Sequence, residues 1–150
     1  MSFINLDIEE ILKTLNQLKA DQKPAWGKMN AQQMVEHLTD GFKMASGKIS
    51  FPLEVEEDEI GKLKNFLYTD KPMAKNISVA FTGINPKIRH EELELSIDEF
   101  LLEWIDFEDF FQENPETKTQ HPYYGLLNYD DWCQLHKKHI THHFNQFGLI

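Results

Sequence analysis

The chain has 150 residues, a length that fits one domain, and its 41% hydrophobic and 12% aromatic content supplies the core such a domain needs. Twenty-five acidic against fifteen basic residues give a formal charge of −10. That balance argues against nucleic acid, whose phosphates are bound through Lys and Arg, and against an anionic membrane surface.

The single cysteine, Cys133, allows no intrachain disulfide, so a cytoplasmic, reducing setting is expected. The first residues carry no basic region or small-residue cleavage site of a signal peptide. No apolar run approaches the ~20 residues of a membrane helix. Without an internal repeat or a dividing linker, residues 1–150 are expected to form one domain.

Four long amphipathic segments follow in chain order. The first runs from Asp7 to Ala20, with Asp7 and Glu10 as a capping-box pair and Ile8, Ile11, Leu12, Leu15 and Leu18 at helical spacing. Lys23-Pro24 ends it. The second runs from Asn30, paired with Gln33, to Ser46, and Gly47 is its stop. Val35, Leu38, Phe42 and Ala45 make its apolar stripe.

Between them and the third lies a long irregular connection, with a short helix expected from Glu56 to Tyr68 and an extended loop from Thr69 to His90. The third long helix is expected to open at a Ser96–Glu99 capping box and to end near Asn114-Pro115, burying Ile97, Phe100, Leu101, Trp104, Phe107 and Phe111. Leu102 and Phe110 fall off that stripe and mark either a homodimer interface or scattered surface hydrophobes. After the aromatic loop His121-Pro122-Tyr123-Tyr124-Gly125, Asn128 with Asp131 caps a last helix that reaches Phe147-Gly148. No segment carries a clear strand pattern. The expected fold is an all-α, antiparallel four-helix bundle.

Four of the seven histidines crowd between His136 and His143. At about 100° per residue, His139 and His143 lie about 20° to either side of Trp132, at the centre of the apolar stripe, while His142 lies at its margin. Imidazoles there cost free energy unless a partner satisfies them. An i, i+4 pair can converge on one ion, with metal–nitrogen bonds of about 2.0–2.1 Å; the alternative is a pair of core histidines hydrogen-bonded to other side chains. Ile140 follows His139 where a helical metalloprotease carries its Glu general base, so that chemistry is excluded. A third ligand must come from another helix. His37, at the stripe margin of the second, and Glu108, at the stripe edge of the third, are the candidates. Cys133 reads as a small buried residue and not as a nucleophile.

The stretch Asn30-Ala-Gln-Gln-Met-Val-Glu-His37-Leu-Thr-Asp40, followed by His139-Ile-Thr-His-His143-Phe-Asn-Gln146, resembles the DinB/YfiT-like superfamily. Trp26-Gly27-Lys28-Met29, the His121–Gly125 loop and Gln146-Phe147-Gly148 resemble a subgroup of bacterial members. The resemblance implies a four-helix bundle with nickel, zinc or a similar divalent ion held by His37, His139 and His143. It also implies a metal-dependent transferase or hydrolase acting on a small molecule, with a low-molecular-weight thiol as co-substrate in the transferase case. Other members end this motif His-His-Arg-Gly-Gln, whereas this chain has Phe144 and Asn145, so a substrate contact by that Arg is missing. His136 and His142 match no ligand position. The rival readings are a non-catalytic metal-binding or stress-response module, and a metal-free helical interaction protein.

Overall fold

Side-chain caps set the helix starts wherever the chain provides them. In the computed structural model, which describes residues 2–75 and 87–150, the helices are α1 (Ile8–Leu15), α2 (Ala31–Ala45), α3 (Ile60–Phe66), α4 (Leu93–Glu113) and α5 (Tyr129–Gln146). A 3-10 turn at Glu57–Glu59 leads into α3, and β1 (Thr119–His121) pairs antiparallel with β2 (Gly125–Leu127). Asn30 and Asn128 each form a full capping box, with Gln33 and Asp131 returning a side chain to the cap N–H. Asp7 caps α1 through the Glu9 and Glu10 amides.

Two boundaries differ from expectation. Helix α1 stops at Leu15, five residues short, because the chain turns at Asn16 to bring residues 22–26 onto the end of α5. There Ala25 N–H donates to the Gln146 carbonyl at 2.7 Å, and the Gln22 amide donates to the Phe147 carbonyl. Both bonds satisfy carbonyls that a helix C-terminus leaves unpaired. Helix α4 opens at Leu93, so Ser96 is not its cap. The Ser96 hydroxyl is fully buried and donates to Glu36 Oε2 at 2.9 Å, a tertiary bond that replaces the expected local one.

The aromatic loop before α5 proves to be the turn of a hairpin. Three-residue strands are too short to show an alternating pattern, which is why periodicity did not reveal them. Thr119 Oγ1 donates to the Ala45 carbonyl at 2.8 Å and accepts from Trp132 Nε1 at 2.7 Å, so the hairpin ties the end of α2 to the start of α5. Gly125 has a positive φ of 76°, and a Cβ there would lie 2.9 Å from Ile60 Cγ2, so only glycine fits against α3.

The core lies between α2, α4 and α5. Phe42 stacks on Trp104 with ring centroids 5.3 Å apart and meets Phe100 and Phe107 edge-on. Val35, Leu38, Phe42 and Ala45 are all buried, as their spacing predicts. On the outer side of α4, Leu102 is 59% exposed, whereas Phe110 packs edge-on against Phe111 at 5.0 Å. The two therefore do not stand out as one patch. The expected loop from Thr69 to His90 lies partly outside the described residues, at positions 76–86. Among the described residues, no helix is long and apolar enough to cross a membrane.

Candidate metal centre

The stripe of α5 faces α2, and this brings His37 opposite His139 and His143. His37 Nε2 lies 2.8 Å from His139 Nε2. The three ring centroids form a near-equilateral triangle with sides of 4.7, 4.9 and 4.8 Å. One donor nitrogen from each ring falls within 4.8 Å of the other two. Metal–nitrogen bonds of about 2.0–2.1 Å place bound nitrogens roughly 3.3 Å apart, so three donors within 4.8 Å of one another could hold one divalent ion.

The chemistry of the donors fits as well. Burial pushes the His37 imidazole down to about 4, helped by the His142 ring, and holds His139 and His143 well below the usual histidine range. All three are therefore neutral at pH 7, the form that ligates. For His143 the tautomer follows from its surroundings. Gln146 Nε2 donates to the Trp26 carbonyl at 2.9 Å, which turns Gln146 Oε1 toward His143 Nδ1 at 2.7 Å. The acceptor Oε1 requires the proton on Nδ1 and leaves the Nε2 lone pair free. A hydrogen bond on the far ring nitrogen is the usual way a ligand histidine is oriented.

The other sequence candidates are accounted for by other contacts. Glu108 lies outside the cluster and accepts from Tyr129 OH at 2.7 Å and Trp104 Nε1 at 3.3 Å. His136 is 2% exposed and stacks on Phe42 with centroids 4.0 Å apart, and its Nε2 has no partner among the described residues. His121 sits in the hairpin, where Tyr123 N–H donates to its Nδ1 at 3.1 Å. His142 lies on the rim, edge-on to Trp26 and to His143. Burial pushes the Cys133 thiol up to about 11, which keeps it protonated and inert at neutral pH. The residue that sequence reasoning missed is Gln146, which sits at i+3 from His143 and whose role depends on where Trp26 docks.

A family model described as "Protein of unknown function (DUF1569)" matches residues 71–148. The chain belongs to that family. The matched stretch carries His139, His143 and Gln146, while His37 lies outside it. Neither a curated protein nor a solved structure matches the chain.

Proposed function

We propose that this DUF1569 member is a divalent-metal protein of the DinB/YfiT-like kind, an antiparallel four-helix bundle built from α1, α2, α4 and α5, acting on a small molecule in the cytoplasm. His37, His139 and His143 are its ligands, and nickel or zinc is the ion that suits three imidazoles. The observation that carries this reading is the convergence of three neutral rings on one point, one of them with its tautomer set by Gln146.

Three protein ligands leave further coordination positions open, as in catalytic rather than structural sites. When bound, the ion would supply Lewis acidity to a water or thiol that reaches it. The chain's packing keeps the imidazoles neutral. Cys133, held protonated and packed beside Tyr129, provides no nucleophile. The reading is therefore a transferase that takes its nucleophile from a low-molecular-weight thiol, or a hydrolase that takes it from water.

The test is elemental analysis of untagged protein, followed by thiol-consumption and ester-hydrolysis screens of the loaded form. Stoichiometric nickel or zinc with turnover in either screen supports the enzyme. Stoichiometric metal with no turnover leaves a metal carrier, and no metal at all overturns the centre.

A further inference from the structure

Beside the histidine centre, α5 turns a second face to a cleft of about 360 Å³. Lys138, Thr141, His142 and Asn145 follow at three- and four-residue steps and so share that face, while Trp26 and Lys75 stand across it. His142 joins the two regions, with its ring 5.5 Å from Trp26 and 4.9 Å from His143.

The charge of this cleft runs against that of the chain. In a molecule of net charge −10, the described residues that line it include two lysines and no carboxylate. A second cleft, of about 500 Å³, is lined by Glu108 and Asp130 and by no lysine or arginine. Lys138 is the unusual group. It is 1% exposed, with its ammonium 4.1 Å from the Phe66 ring centre and 4.6 Å from that of Phe3. It donates to Thr69 Oγ1 at 3.4 Å and to the Lys71 carbonyl. Among the described residues no carboxylate lies within ion-pair distance of it. The hydrogen-bond acceptors of Lys138 are neutral, and burial pushes its pKa down against the more distant pull of Asp70, so the cation is only partly compensated and an incoming anion relieves that cost. Lys75 is exposed, rests 4.3 Å over Trp26 and lines the same cleft.

We propose that this cleft binds a small carboxylate with an apolar body, anchored by Lys138 and Lys75 and laid against Trp26. Two of the three ammonium donor directions of Lys138 are already used. The remaining one suits a singly charged carboxylate better than a phosphate, which asks for several donors. The inference rests on the metal reading only in making this molecule the substrate of that centre; the binding itself needs no ion.

The test follows the indole N–H signals of the full chain by NMR, with and without zinc, under titration with 3-phenylpropanoate, its neutral amide, and phenyl phosphate. The carboxylate is expected to shift the Trp26 signal saturably and to leave Trp104 and Trp132 unmoved, and the amide to bind about tenfold more weakly. Lys138→Met should weaken the carboxylate by about tenfold and the exposed Lys75→Met by about fivefold. Because Lys75→Met is not expected to disturb the fold, it tests the site even if Lys138→Met does not fold. Equal binding of acid and amide, tighter binding of the phosphate, or no saturable Trp26 shift would overturn the proposal. Carboxylate binding in a protein that takes up no zinc would sink the metal reading and leave the cleft standing.

Discussion

Two groups of buried or half-buried histidines share α5 and its surroundings, and they differ in what surrounds the ring. His121 and His136 are enclosed by aromatic faces. His136 lies between Phe42, Phe107 and Trp132, and His121 lies 5.8 Å from Trp132. His37, His139 and His143 are enclosed mainly by one another, with Gln146 behind. Burial pushes rings of both groups down, to about 3 for His121 and His136. Depressed basicity therefore does not distinguish a ligand. What separates the groups is convergence: one nitrogen from each of three rings gathered within 4.8 Å, against rings whose nitrogens point to separate places.

The His139→Ala, His143→Ala double variant should have the largest effect. It is expected to lose stoichiometric nickel or zinc completely, whereas a His121→Gln, His136→Met double variant keeps it, as measured by elemental analysis after dialysis. Equal loss in both would show that the convergence has no role.

Next in size is Gln146→Ala. Removing the acceptor on His143 Nδ1 should weaken metal affinity by about 10–100-fold, read by competition against a chromophoric chelator. Unchanged affinity would mean that the His143 tautomer is not set through Trp26 and Gln146.

Acid should then act through the aromatic-enclosed pair. Their folded values near 3 lie below the ordinary histidine value of 6.5. Between those limits the unfolded chain binds protons that the folded chain refuses, so stability is complete above about pH 6.5 and declines as pH falls toward about 3. In the His139→Ala, His143→Ala background, the urea midpoint should still drop between pH 7 and pH 4. Adding His121→Gln and His136→Met should flatten the slope, and an unaltered slope would place the titrating groups elsewhere.

The smallest effect expected is that of His136→Met alone. It removes a buried nitrogen with no partner, a group whose burial costs about 1–3 kcal/mol, and fills the space with an adaptable apolar chain. Thermal unfolding should be no lower than in the parent protein and metal affinity within about twofold of it. A large loss of stability would reveal a bond to His136 Nε2 that the described residues do not provide.

Much of this architecture is legible along the chain. The capping boxes at Asn30 and Asn128 are local patterns, and the helices begin where those patterns lie. The stripe of α2 and the central position of His139 and His143 follow from helical spacing alone. The buried Lys138 and Ile140 do not, since both lie off the stripe; Lys138 is covered by Phe3, Phe66, Thr69 and the Lys71 backbone. Periodicity reports one buried face, and a helix covered on two sides escapes it.

The pairing of His139 with His143 was written into the sequence, because i and i+4 share a face on any helix. So was the lack of a Glu after His139, since Ile140 stands there. The proximity of His37 to the pair comes from packing: its marginal wheel position becomes a 2.8 Å approach to His139 only because α2 lies against this face of α5. Gln146, the Trp26 carbonyl and the lysine-lined cleft depend on the chain after α1 folding back over the end of α5. Each joins residues far apart in the chain, more than a hundred positions in the case of Trp26 and Gln146. Spacing rules apply within one helix, so only the assembled fold decides these contacts.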